Sequence, residues 1–326
     1  MKADPYFSVI IPCFNGEKYI SRCLNSIISQ NFENWECIII NDGSKDRSFD
    51  IISNYSNNDK RIKIINQQNS GVSIARNKGI EASTGRYLLF VDTDDILRKS
   101  DFLDTAYNLI NSDNSIDIVQ FDVEIVTPSL KRIKLLSTYP FMSLIETFVR
   151  GETTASSACS KFFSSQLIKN NEIRFPEKII MNEDYYFSFV AMANSSKTII
   201  SHDLCYTYVK NDTSCTAKHN SRHVDSMLKV ADLLEKFAIL KFGKSKEIQE
   251  FISYRRFKAY SLYVTDFSIL DFNVFRKNVS IEDMKLHKKR ISKIIYLYCL
   301  LVLLHIDFLA YCICWLQPKL RRVFKY

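Results

Sequence analysis

The chain has 326 residues, 46% of them hydrophobic and 25% charged, which excludes a disordered or low-complexity protein and suffices for one large domain or one domain with an appendage. Its formal net charge of +8 is unevenly placed: Lys288, Lys289, Arg290 and Lys293, then Lys319, Arg321, Arg322 and Lys325, crowd the C-terminal end, a pattern that suits an anionic surface and gives no reason to expect nucleic acid. Nine scattered cysteines without a CxxC pair indicate neither a disulfide framework nor a zinc site and fit a reducing compartment, and MKADPYFSVIIP lacks the long apolar core of a signal peptide.

From residue 6 to 95 strand and helix alternate. Phe7–Ile11 is a strand ending at Pro12, and Tyr19, Ile20, Cys23, Leu24, Ile27 and Ile28 then fall at helical spacing. Trp35–Ile40 is a second strand, closed by Asn41-Asp42-Gly43-Ser44, with a helix around Ser48–Tyr55. Arg61–Ile65 is a third, followed by a helix over Val72–Ala82 with Thr84-Gly85 where a C-terminal cap belongs. Tyr87–Val91 is a fourth strand and runs into Asp92, Asp94 and Asp95. Such repeats predict a largely parallel sheet with helices on both faces. Ligands then sit beyond the carboxyl ends of the strands, where Cys13-Phe14-Asn15-Gly16-Glu17, Asn41 to Ser44, Asn66 to Gly71 and Asp92 to Asp95 gather. Each cluster alone is an ordinary turn; four on one edge favour a nucleotide crevice. Neither GxGxxG nor GxxxxGK[ST] occurs, which disfavours a dinucleotide cofactor and a P-loop.

Three carboxylates at one strand end repel unless a cation or a hydrogen-bond network neutralises them, and hard divalent cations prefer such oxygens. Two readings follow. Asp92 and Asp94 hold Mg2+ or Mn2+ against a diphosphate, or Asp94 or Asp95 caps the helix that begins near Ser100. Further on, Ile116–Val126 and Lys131–Leu136 are strands joined by a Pro128-Ser129 turn, and they extend the sheet. Phe187–Ala193 is a short helix after Glu183-Asp184, a pair that either carries chemistry or favours a helix N-terminus. Lys197–Ile200 and Cys205–Val209 are edge strands, and Arg222–Leu240 is an amphipathic helix stopped by Gly243. Ile294–Leu316 is apolar except at His305 and Asp307, with Tyr296, Tyr298, Tyr311 and Trp315 toward its ends. It is long enough to span a bilayer, but two basic flanks and Asp307 favour a helix lying in the headgroup region; a helix packed on the domain is the alternative.

The series VIIPCFNGEKYISRCLNSIISQ, CIIINDGSKDRS, NSGVSIARNKGI and GRYLLFVDTDD, with SACSKFFSSQLIKNNEIRFPEKIIMNEDYYF beyond it, resembles family 2 glycosyltransferases of the bacterial cell-surface polysaccharide type. The resemblance implies the α/β GT-A fold, a Rossmann-like, mostly parallel sheet flanked by helices, with a helical C-terminal extension. It implies a GT-A domain over residues 1–215, with 6–100 binding the nucleotide sugar and 101–215 on the acceptor side, and a helical region over 216–326 whose segment 291–326 associates with membrane. In that family's pattern Asp92 and Asp94 hold the metal around Thr93, with Asp95 beside them. Asp42 recognises the base; Pro12, Phe14, Asn15 and Glu17 shape the nucleoside pocket; Asn69 and Arg76 lie near the donor. Glu183 lines the substrate side, and Asp184 is the general base of an inverting displacement. Two positions depart from it: Phe14 stands where many members have Tyr, and Phe162-Phe163 replaces Leu-Phe or Leu-Tyr. The expected enzyme moves a sugar from a nucleoside diphosphate, UDP first, to a saccharide or lipid-linked saccharide. It is expected in the cytoplasm, peripheral on the inner face of the plasma membrane. A metal-dependent nucleotidyltransferase would need a Gly-rich, Lys- or Arg-bearing loop after the first strand, which is missing, and a non-catalytic scaffold would leave the clustered carboxylates unexplained.

Overall fold

A computed structural model describes residues 4–126, 131–134, 144–149, 156–209 and 220–311. The chain divides into two compact units, Met1–Lys178 with Glu183–Ser214, and Ile179–Asn182 with Cys215–Tyr326.

The first unit begins as the alternation predicts: β1 (Phe7–Cys13), α1 (Ile20–Ile28), β2 (Trp35–Asp42), α2 (Ser48–Asn58), β3 (Ile62–Gln67), α3 (Val72–Ala82) and β4 (Tyr87–Phe90). All four strands are parallel, in the order β3-β2-β1-β4. In β1, β2 and β4 the strand residues are almost all buried because helices cover both faces: Phe7, Val9, Ile10 and Ile11 of β1 are buried, as are Ile20, Cys23, Leu24 and Ile27 of α1, whereas β3, at the sheet edge, carries an exposed Lys63. Helix α3 lies very close on this sheet. A Cβ at Gly79 would come within 2.3 Å of Ile10 and 3.0 Å of Ile40.

Then come β5 (Ile96–Leu97), α4 (Phe102–Asn111), β6 (Ile118–Val126), β7 (Lys131–Lys134), α5 (Leu144–Val149), β8 (Lys161–Ser164), α6 (Ser165–Asn170), α7 (Glu183–Asn194) and β9 (Thr198–Val209). The sheet continues from β4 as β8-β6-β9-β5, with β7 beside β6. Strand β8, which the sequence pattern does not reveal, runs antiparallel between β4 and β6, pairing Leu88 with Phe163 and Val119 with Phe162. The two expected edge strands near 197–209 are one strand, paired with β6 throughout and flanked on its far side by β5 at Tyr206 and Thr207. Register shifts near Asp122 absorb its polar middle. The expected Pro128-Ser129 turn and the end of the strand at Leu136 lie outside the described residues. Gly85 is not a helix cap: α3 ends at Ser83 in extended backbone, and a Cβ at Gly85 would meet the Ser8 backbone at 2.6 Å. It is the close approach to β1 that requires glycine there.

The second unit is helical: α8 (Ser221–Phe242), α9 (Lys246–Thr265), α10 (Phe272–Asn278), α11 (Ile281–His287) and α12 (Lys293–Leu303). Gly243, at φ 79°, ends α8, and Ser245 opens α9 by accepting from the Ile248 N–H. Val224, Met227 and Ala259 form a core between these two helices. The apolar stretch from 294 is not one helix. It stops at Leu303, and His305 takes φ 61°. The Arg276 guanidinium explains the break, because its Nε donates to the Val302 carbonyl at 2.9 Å and it pairs with Asp307. Tyr298, Cys299, Leu301 and Val302 of α12 are buried, while Ile294 and Leu297 on the same helix are exposed. Among the described residues no helix is long and apolar enough to cross a membrane.

Candidate active site

The polar clusters do gather at the carboxyl ends of β1 to β4. The loops after β1 and β2 are stitched together: Asn15 N–H donates to Ser44 Oγ, Lys45 N–H to Asn15 Oδ1, Glu17 N–H to Asp46, and Arg47 N–H to Glu17 Oε2. Asn15 and Glu17 thus tie these two loops together, and Phe14, 49% exposed, stands out from them. A Cβ at Gly16 would lie 2.5 Å from the Thr93 methyl. Thr93 Oγ1 donates to the Pro12 carbonyl at 2.7 Å, joining the ends of β1 and β4.

Asp42, buried at the end of β2, accepts from Gln67 Nε2 (2.7 Å), Ser70 N–H (2.7 Å) and Gly71 N–H (2.9 Å). Its carboxylate fixes the turn that opens α3 and keeps about one acceptor direction of four for anything else. Asn69, exposed on that turn, packs its backbone against Gly43, where a Cβ would meet the Asn69 nitrogen at 2.8 Å.

Beyond β4 the three carboxylates separate. Asp95 is fully buried and accepts from Tyr206 OH (2.6 Å) and Val209 N–H (3.0 Å); burial, with Asp92 and Asp94 nearby, pushes its carboxyl well above the usual range. It caps no helix, and neither does Asp94, because α4 starts at Phe102 after Asp101. Helix α1 steadies the loop from the other side: Arg22 donates to the Asp94 carbonyl at 2.9 Å and Cys23 Sγ to that of Asp92 at 3.7 Å.

Arg76 on α3 joins this loop to the acidic pair of α7. One of its terminal nitrogens donates to Asp92 at 2.7 Å and the other to Glu183 at 2.9 Å. Burial works against the charge, yet Asp92 and Glu183 raise its pKa, and among the described residues its Nε–H has no partner. Glu183 and Asp184 form the first turn of α7. Asp184 accepts from the Tyr185 N–H at 2.8 Å. Burial and then the Glu183 charge lift its carboxyl to about 7, against Arg76, which lowers it.

Several members of this constellation carry no sequence signal of their own. Lys161 of β8 is fully buried, donates to the Ser157 carbonyl, and is brought down to about 7 by burial, against the Asp184 charge. Asn77, beside Arg76, pairs with Phe175 like a strand neighbour, its Nδ2 donating to the Phe175 carbonyl and its Oδ1 accepting from the Phe175 N–H, both at 2.9 Å. Phe175 stacks on Phe187 of α7 at 4.0 Å and carries the Arg76 guanidinium 5.1 Å above its ring. Replacing Asn77 by Ala leaves two buried backbone groups unpaired, so we expect a loss of about 2–4 kcal/mol in a urea unfolding series.

The donor set also tests a divalent cation. Asp92, Asp95 and Cys159 each bring one ligand atom within 4.8 Å of the others. That trio does not suit Mg2+ or Mn2+, since the buried Cys159 thiol is held protonated by burial and then by Asp92 and both Asp95 oxygens are engaged. Asp92 and Asp94 are partly exposed and supply the hard oxygens such a cation takes.

The profile of "Glycosyl transferase family 2" matches residues 8–170, half of the chain. The chain belongs to glycosyl transferase family 2. It is 32% identical over 193 residues to the "Putative glycosyltransferase EpsH" of Bacillus subtilis, covering 57% of this chain and 56% of EpsH, so it spans little more than half the length of that relative. It is 29% identical over 286 residues to the cholesterol galactosyltransferase of Borreliella burgdorferi, with 82% and 79% covered. The crystal structure of Staphylococcus aureus TarS 1–349 in complex with UDP-GlcNAc superposes with a TM-score of 0.70 at 21% identity, covering 96% of this chain and 91% of that one. That likeness establishes the GT-A fold. The matched half runs from Ser8 to Asn170, and α7 with its acidic pair lies beyond it.

Proposed function

We propose that this chain is an inverting glycosyltransferase that moves a sugar from a nucleoside diphosphate, with UDP the first choice, to a hydroxyl of a saccharide or lipid-linked saccharide in surface polysaccharide synthesis. The observation that carries it is the Arg76 bridge, which ties Asp92 at the end of β4 to Glu183 and sets Asp184 one residue further along α7. Family membership and the UDP-GlcNAc bound by TarS support the donor class.

Each residue then has a task. Asp42 turns its remaining acceptor direction to the ring N–H of the base, and Phe14 offers a stacking face beside it. Arg76, whose Nε–H is unpartnered among the described residues, gives that hydrogen to a phosphate or sugar oxygen of the donor, with Asn69 nearby. Asp92 and Asp94 would hold Mg2+ or Mn2+, which would neutralise the departing diphosphate; the structure of the mannosyltransferase PcManGT of Pyrobaculum calidifontis, a distant structural neighbour, is in complex with GDP-Man and Mn2+. Asp184 takes the proton of the acceptor hydroxyl as it attacks the anomeric carbon from the face opposite the diphosphate.

The test is calorimetric titration of a panel of UDP sugars with and without a chelator. We expect wild-type binding to need the cation and Asp94→Ala to abolish it; full-strength, cation-independent binding by that variant would overturn the proposal.

The same reading places the protein peripherally on an anionic membrane, the inner face of the plasma membrane, through the region after residue 290. Supporting it are the exposed lysines 288, 289 and 293 beside exposed Ile294, Leu297, Phe308 and Leu309.

A further inference from the structure

Helix α8 buries Val230, Ala231, Leu234 and Ala238, and the burial then ends abruptly. Every residue from Ile239 to Glu247, the sequence ILKFGKSKE, is exposed. Leu240 is 88% exposed and Phe242 47%. Single exposed apolar side chains are ordinary, but here three large ones share the tip of a helical hairpin whose chain reversal, at Gly243, has no atom of the described residues within 4 Å of a would-be Cβ. The tip carries three lysines, Lys241, Lys244 and Lys246, against one glutamate. Acidic groups further along the hairpin are already engaged: Asp232 and Glu235 by Arg256 at 2.8 and 2.7 Å, and Glu250 by Arg290 at 3.2 Å. The Arg290 bond, with Tyr254 OH donating to the Arg290 carbonyl at 3.1 Å, seats the basic turn Lys288–Arg290 one to two helical turns along α9 from the tip.

We propose that the turn between α8 and α9 is a second lipid-contacting element, with Ile239, Leu240 and Phe242 entering the headgroup boundary of an anionic bilayer while Lys241, Lys244 and Lys246 meet its phosphates. The charge decides for lipid, since an apolar tip ringed by lysines matches a surface that offers both hydrocarbon and anions. The inference rests on the membrane reading above but names a site independent of the region after residue 290.

The experiment is flotation of the full chain with vesicles of phosphatidylglycerol and phosphatidylcholine at low and high salt. Three variants are compared: Leu240→Ser with Phe242→Ser; Lys241, Lys244 and Lys246 all to Gln; and Phe308→Ser with Leu309→Ser. Circular dichroism confirms folding, and light scattering gives the mass. We expect the serine tip variant to bind about tenfold more weakly and the glutamine variant to lose most of its salt dependence. Tip variants that float like wild type would overturn this inference while leaving the membrane reading intact, provided the Phe308 and Leu309 variant floats less. A wild-type chain that does not float overturns both. A dimer that the tip variants split, with flotation unchanged, would assign the tip to a second copy.

Discussion

Asp184→Asn should lower sugar transfer by about 10^2- to 10^4-fold and leave donor affinity within a few-fold, because the amide keeps the shape and cannot take a proton. The wild-type rate should fall as pH drops through about 7, where the carboxyl becomes protonated, and the residual rate of the variant should be flat there. Stability supplies a separate readout. The folded carboxyl titrates above its unfolded value of about 4, so the folded state holds a proton that the unfolded state releases, and the group destabilises the fold increasingly from pH 4 to 7 and constantly above. The variant should therefore melt at the same temperature as wild type at pH 4 and at a higher one at pH 8. Unchanged turnover with unchanged melting would reduce Asp184 to a residue of the helix start.

The second large effect belongs to Arg76. Arg76→Ala removes the counter-charge from Asp92 and Glu183 together, and breaking a buried pair from one side costs about 3–5 kcal/mol. Urea midpoints should show it, and donor affinity should fall with them. If Asp92 is a cation ligand, added Mn2+ should restore part of the lost stability in the variant and little in wild type. Arg76→Lys should recover less than charge alone suggests, since one ammonium cannot reproduce two nitrogens held 2.7 and 2.9 Å from separate carboxylates. A variant as stable as wild type, with or without the cation, would mean that the bridge is marginal.

The first four strands were legible because each is a short, mostly apolar run between turn formers, broken in β3 by Lys63, and the helices between them keep their period. Strand β8 was not: KFFS is four residues long, and its partners in β4 and β6 lie more than forty positions away in sequence. The same limit applies at the site. Which residues stand at the strand ends followed from spacing, but their partners did not. Asp95 is engaged by Tyr206, 111 positions on, and Arg76 reaches Glu183 across 107, distances over which periodicity carries no information. Asp307 shows the opposite failure. In a hydropathy profile it is a blemish in a long apolar stretch; in the structure it pairs with the arginine that ends the helix.

Gly79 lies three residues after Arg76, nearly a full helical turn, so both project from the same side of α3. Gly79 adds no side chain of its own there, so the main chain of α3 rests directly on the side chains of Ile10 and Ile40. The guanidinium that spans Asp92 and Glu183 is therefore aimed by a missing methyl group. Any larger residue at 79 would tilt the lever on which Arg76 is mounted, so that a position packed on Ile10 and Ile40 sets the reach of the site.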